Sequence, residues 1–239
     1  MKIKKPPRRF CFSFSLYIII PAFSLCQVPV RSFTPDMYSQ QEYAALRQIV
    51  GNHKKIPPDY EKQILVALSY FPELINTRID FRFKHTNTSF STRPTIISVL
   101  KRSGSRKYII TISDSSEAIL TPLQLRNLDY NAQIGIIGHE LSHAADFSNK
   151  STLGLLRVAM GNLSRKFLDR LEFKTDSLCI AHGLGYQLLA WSGNLRKKMN
   201  STNWRGPDYA HKPQNTERYM NPATIQQRIN ISPLYHSSE

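Results

Sequence analysis

Two short stretches of this chain combine residue types at spacings that support metal chemistry. His139-Glu140-Leu141-Ser142-His143 sets two imidazoles four positions apart, and on a helix residues i and i+4 lie one above the other on the same face. Both rings can then reach one Zn²⁺. Glu140, next to the first of them, is suited to act as general base toward a water in an open position of the metal. Zinc hydrolases use three protein ligands and keep the fourth position for water. Downstream, Glu172 and Asp176 again stand at i and i+4. Glu172 can supply the third ligand. Asp176, one turn on, can accept a hydrogen bond from the far nitrogen of a ligating histidine and so fix its tautomer. At helical spacing Glu172, Thr175, Asp176 and Cys179 share one face, while Arg170, Lys174 and Ser177 take the opposite one. On a solvated helix acids and bases more often alternate at i+4 on a common face. Their segregation points to a site.

The motifs need two helices to carry them, and the pattern provides these. From Asn131 almost to Gly193 the sequence reads as helix, interrupted near Ser148–Thr152 and at Gly183. Ile134, Ile137, Gly138, Leu141 and Ala145 form an apolar stripe roughly opposite His139 and His143, so packing on that stripe leaves the histidine side for the site. Upstream, Gln41–Val50 reads as a short helix ended by Gly51-Asn52. Asp59–Tyr70 reads as a second, between Pro57-Pro58 and Pro72. Three β-like stretches follow, Ile79–Lys84, Thr95–Leu100 and Tyr108–Ser113, and in the first of them Ile79, Phe81 and Phe83 alternate with Asp80, Arg82 and Lys84. Ser103-Gly104-Ser105 reads as the turn of an antiparallel hairpin joining the last two. From Asn200 the chain is polar and carries Pro207, Pro213, Pro222 and Pro233, with one short helix near Ala223–Ile229. The expected class is α+β: a small antiparallel sheet, then an active-site helix and C-terminal helices. The expected organisation is a tether and short helix over 27–58, a catalytic domain over 59–199 and a polar tail over 200–239.

With Glu172 placed 29 positions after His143, the pair of motifs resembles the gluzincin metallopeptidases. The stretch from Ile134 to His143 is similar to the active-site helix of their minimal members, which are related to the CAAX prenyl protease and the heat-shock membrane peptidases. In that group the second motif is usually E-x-x-A-D, and here Thr175 stands in the place of the alanine. The resemblance covers about Tyr108 to Gly193. It implies a zincin-like fold in which an edge strand, here Tyr108–Ser113, lines the cleft and pairs with an extended peptide or protein substrate. Relatives often carry His-Pro before a terminal Arg-Ile, and this chain reads Asn221-Pro222 and then Arg228-Ile229. The donor to the tetrahedral oxyanion therefore has to come from elsewhere, with Tyr219, Tyr209, His211 and His182 as candidates.

The chain has 239 residues, 32 Lys+Arg against 17 Asp+Glu, a net charge of +15 and 41 % hydrophobic residues. That excludes a disordered or collagen-like chain and allows a real core. Residues 2–9 hold five basic side chains and no acid, and an uncharged run from Phe10 to Cys26 follows. This is the order of a secretory signal, with cleavage before Gln27. An uncleaved membrane anchor, or a lipidated Cys26, is the alternative. The expected location is periplasmic or secreted. Removing those five basic residues from +15 leaves +10, and loss of Cys11 and Cys26 leaves Cys179 as the one thiol, read as a small buried hydrophobe. Lys101, Arg102, Arg106 and Lys107 flank the expected hairpin, and Arg196-Lys197-Lys198 follow the last long helix. They lie at element ends without a stripe or a nucleic-acid motif, so no nucleic-acid partner is expected and they read as solvated charge. An exported chain of this charge meets anionic envelope surfaces first. His53, His85 and His236 have no partner spacing.

Overall fold

The computed structural model describes residues 28–85, 89–113, 118–200 and 217–236. The leader over 1–26 lies outside them, as do Tyr209 and His211. Among the described residues no helix is long and apolar enough to cross a membrane.

Helix α1 (Gln40–Ile49) starts at Ser39, whose hydroxyl accepts the Glu42 N–H while the Glu42 carboxylate accepts the Ser39 N–H, a reciprocal cap. Helix α2 (Glu61–Leu68) is bounded by Pro58 and Pro72 and buries Ile64 through Leu68. Four strands follow in space: β1 (Lys54–Lys55), β2 (Arg78–Lys84), β3 (Phe90–Pro94) and β4 (Lys107–Ser113), in the order β1-β2-β4-β3. β4 is central and nearly continuous in apolar burial, from Tyr108 through Ile112, as expected of a strand covered on both faces.

The α+β class holds, but the sheet is mixed rather than antiparallel. β2 runs parallel to β1 and to β4, and only β3 is antiparallel, with Thr92 opposite Ile110. The expected hairpin is absent because Thr95–Leu100 is not a strand. Pro94 ends β3 and Ile96–Val99 winds into a single helical turn, α3. There the buried Ser98 hydroxyl donates to the carbonyls of Thr95 and Lys107. The β-branched residues suggest strand, but Ile96, Ile97 and Leu100 are all exposed, so no alternating burial holds them extended. Ser103–Ser105 is a 3₁₀ turn leading into β4. In consequence the sheet edge next to the helices is β3, and Tyr108–Ser113 is interior.

The helical half consists of α4 (Tyr130–Ser148), α5 (Thr152–Gly161), α6 (Arg165–Ala181), α7 (Gly185–Met199) and α8 (Pro222–Ile231). The break at Asn162–Ser164, between α5 and α6, carries no glycine or proline of its own, and the apolar pattern does not mark it. Gly183 does mark a boundary: its φ of 94° turns the chain from α6 into α7. α4 is the axis of the molecule, packed by β3, α2, α6 and α7. The expected single stripe is therefore too narrow. Ala132, Ile136 and Ala144 are buried along with it, and so are His139 and His143. Close approach of α7 depends on Gly135, where a Cβ would sit 2.1 Å from the Gln187 carbonyl oxygen.

Segments near both ends of the described residues contribute to this core. Phe33, in the expected tether, is buried, and the Asn131 side-chain amide accepts its N–H and donates to its carbonyl. In the expected polar tail, Met220, Ile225 and Ile229 are buried among the helices. Glu217 accepts the Asn221 N–H and the Thr224 hydroxyl at the start of α8, and Arg218 pairs with Asp169 of α6 at 2.8 Å. Composition hides this because only a few apolar side chains do the packing. Two of the basic residues read as solvated are likewise internal. Arg106 donates to the carbonyls of Lys101, Phe147 and Lys150, and Arg196 to Asn221 Oδ1 and to the carbonyls of Ser192 and Tyr219.

Candidate metal centre

α4 and α6 cross so that the two motifs face each other. Lys174 of α6 pairs with Asp146 of α4 at 2.6 Å, a further contact between the two helices. His139 Nε2 lies 3.1 Å and His143 Nε2 3.2 Å from Glu172 Oε2, and all three donor atoms fall within 4.8 Å of one another. The three side chains are largely buried, Glu172 being the most open at 14 %.

The hydrogen bonds behind the candidate ligands assign the imidazole tautomers. His139 Nδ1 lies 2.7 Å from Asp176 Oδ1, and a carboxylate can only accept, so Nδ1 carries the proton. The second Asp176 oxygen accepts the Met220 N–H at 2.7 Å. His143 Nδ1 lies 3.2 Å from Thr175 Oγ1, whose own hydrogen is committed to the Leu171 carbonyl. The hydroxyl oxygen therefore accepts, and Nδ1 of His143 donates as well. In these tautomers both Nε2 atoms present lone pairs toward an anionic oxygen, an arrangement that repels unless a cation or extra protons intervene. A tetrahedral ion with bonds of 2.0–2.1 Å needs ligand atoms about 3.3 Å apart, close to the two separations found. Two imidazole nitrogens and one carboxylate oxygen are a donor set that suits zinc.

The electrostatics follow from burial and mutual contact. Burial opposes charging of His139, but Asp176 and Glu172 outweigh it and hold its pKa well above the ordinary value. Burial raises the Glu172 carboxyl, yet the two histidines overcome it and keep it ionised. Glu140 differs: burial dominates and raises its pKa, with His143, His139 and the Thr92 hydroxyl only partly opposing. That is the environment of a carboxylate suited to exchange protons.

Several groups around the centre have no signal in the sequence. Thr92 of β3 reaches across to Glu140, its hydroxyl 2.7 Å from Oε2 and 3.0 Å from the backbone carbonyl. Trp191 of α7 and Tyr219 place their rings 5.6 and 5.7 Å from that of His139, and Phe147 lies 5.7 Å from His143. No local spacing links Thr92 or Met220 to the motifs, and only the sheet register and the return of the C-terminal segment bring them in. Thr175 is visible in the sequence as a departure from the usual alanine, which is the one signal of its bond to His143.

Among the oxyanion candidates, Tyr219 stands beside the centre. Desolvation, then the charges of Glu172 and Glu140, push its hydroxyl pKa well above the ordinary value, so it stays a donor. His182 is not at the site: its Nδ1 bonds the Leu178 carbonyl, its Nε2 bonds Glu73 at 2.8 Å, and its ring stacks on Phe71. Asn221 is occupied with Glu217 and Arg196 at the start of α8. Cys179 is fully buried with its thiol pKa raised by burial, the behaviour of a hydrophobe. No family model, no curated protein and no solved structure matches this chain.

Proposed function

We propose that this chain is an exported zinc-dependent metalloendopeptidase that hydrolyses peptide bonds. The observation that carries the reading is the convergence of His139 Nε2, His143 Nε2 and Glu172 Oε2, each imidazole oriented by a hydrogen bond at its far nitrogen, with the raised-pKa carboxyl of Glu140 adjacent. A zinc ion held by these three residues would supply Lewis acidity, lowering the pKa of a water and polarising the scissile carbonyl. Glu140 takes the proton of the attacking water and returns it to the leaving amine. The Thr92 hydroxyl holds that carboxylate in place from the opposite wall. Tyr219, neutral and beside His139, is the donor suited to the developing oxyanion. An extended substrate would add to the sheet along β3, the edge strand against α4, through main-chain hydrogen bonds. Export rests on the basic and apolar order of residues 2–26.

Purified protein is expected to carry about one zinc per chain and to cleave members of a mixed peptide library. Glu140→Gln should keep the zinc and lose about 10²–10⁴-fold in kcat/KM. Failure to take up zinc on reconstitution would overturn the metal centre. Full zinc occupancy with no cleavage by the wild type would instead favour a catalytically silent binding or scaffold module at the envelope.

A further inference from the structure

A second feature lies on α3 and α5 and does not depend on how the metal centre is read. α5 is apolar, yet it buries only Leu155 and Val158. At 100° per residue Leu153, Leu156 and Met160 form one outward stripe with Arg157 beside it. Leu153 is 68 % and Met160 65 % exposed. Leu163, in the link to α6, is 91 % exposed. α3 behaves the same way: Ile96, Ile97 and Leu100 are each 82 % exposed.

The two elements are tied together. The Thr152 hydroxyl at the start of α5 donates to the Val99 carbonyl at the end of α3 at 2.9 Å. The buried Arg106 bonds the carbonyls of Lys101, Phe147 and Lys150 from beneath. These bonds bring the two exposed apolar sets side by side, more apolar side chains than the scattered leucines of an ordinary surface.

Charge selects the occupant. The stretches 93–113 and 147–168 carry nine basic residues and no acid, of which Arg106 is buried and Lys107 and Lys150 pair with Asp80 and Asp146. Lys101, Arg102, Arg157 and Lys166 are exposed next to the apolar positions. The nearest acid on α4, Asp146, is already held by Lys150 and Lys174. A protruding aliphatic ridge flanked by one sign of charge is the pattern of an interfacial segment on anionic lipid. Nucleic acid calls for aromatic or polar readout, which the ridge does not have. We propose that the α3–α5 face docks on an anionic lipid surface, its leucines and isoleucines entering the acyl boundary and its Lys and Arg side chains meeting the headgroups.

Sedimentation of the full chain with vesicles tests this, using phosphatidylglycerol mixed into phosphatidylcholine against phosphatidylcholine alone. The wild type is expected to prefer the anionic vesicles. Leu153→Ser/Leu156→Ser/Met160→Ser should weaken binding by at least about tenfold, and Arg157→Gln/Lys166→Gln by about fivefold per charge, an effect that added salt mimics. Because the apolar run in 10–26 could itself enter lipid, Leu156→Trp gives a local readout, taken as the difference from the wild type with its own Trp191 and Trp204. The added emission should shift to the blue on anionic vesicles and be quenched by brominated acyl chains. An unquenched signal from the introduced indole on sedimented protein, or both multiple variants binding as the wild type does, overturns the proposal and leaves the leader as the lipid-binding segment. A dimer in solution that the triple substitution abolishes, without lipid binding, overturns it in favour of a second copy of the chain.

Discussion

α4 and α5 are consecutive helices of similar apolar content, and they use it in opposite ways. α4 is packed by a strand and three helices, so its buried polar side chains are the ones in need of an explanation. Each has a partner: His139 has Asp176, His143 has Thr175, Glu140 has Thr92, and Gln133 donates to the carbonyls of Leu125 and Leu128. α5 is covered on one side only, and there the apolar side chains are the ones that need explaining. Hydrophobic content alone does not say where function sits. A buried polar group with a specific partner and an exposed apolar group without one are the two informative departures.

Four measurements test the contrast between α4 and α5. If α4 is as tightly enclosed as its contacts imply, Gly135→Ala must force α7 away, because the new methyl would meet the Gln187 carbonyl. A loss of about 3 kcal/mol in urea-unfolding stability is expected, the upper end for overpacking against backbone. A neutral result would mean that α7 yields easily.

Asp176→Asn keeps the shape of the partner of His139 while removing its charge and its simple role as acceptor. Zinc affinity should fall about 10–100-fold, read by competition with a chromophoric chelator. Unchanged affinity would mean that Asp176 serves only to receive the Met220 N–H.

His182 offers an internal contrast, a histidine near the same helices but outside the centre. Burial works against its charged form, but Glu73 and the Leu178 carbonyl outweigh it and raise its pKa. A raised folded pKa contributes stability that is fully present below the unfolded value, about 6.5, and is lost as pH rises through the folded one. Glu73 is shifted down despite burial, chiefly by His182, so its share is present above about pH 4.3 and lost in acid. His182→Gln should therefore lower the melting temperature between about pH 5 and 6.5 and converge with the wild type in alkali. Partial exposure of both side chains, 20 % and 34 %, limits the effect to less than about 1 kcal/mol.

Smallest is Leu156→Ser on the outward stripe of α5, expected to stay within about 0.5 kcal/mol of wild-type stability. A larger loss would show that the stripe is covered in the folded chain.

The parts of the site that lie within one helical turn are readable from spacing: the i, i+4 histidines, the i, i+4 carboxylates, and the face shared by Glu172, Thr175, Asp176 and Cys179. Cys179 as a buried hydrophobe is readable for the same reason. What cannot be read depends on pairing between distant segments. Parallel β2–β4 contacts leave no local signature, because either orientation accepts the same alternating strand. Thr95–Leu100 has β-branched composition, yet the two bonds of Ser98 and the end of β3 at Pro94 decide its turn. Thr92 acts 48 positions away from Glu140, and Met220 acts 44 positions away from Asp176. The C-terminal segment looks like a tail because Met220, Ile225 and Ile229 are few among polar neighbours, although every one of them is buried.

The bond from the Met220 amide to Asp176 has a consequence in time as well as in space. All three candidate ligands are synthesised by residue 172 and the orienting carboxylate by residue 176, yet that carboxylate is not fully satisfied until the chain has grown past residue 220. Tyr219, which closes over His139, arrives in the same late segment. The candidate centre is therefore finished well after its candidate ligands are made: a chain halted or clipped before residue 217 would hold all three and still lack the segment that closes over them.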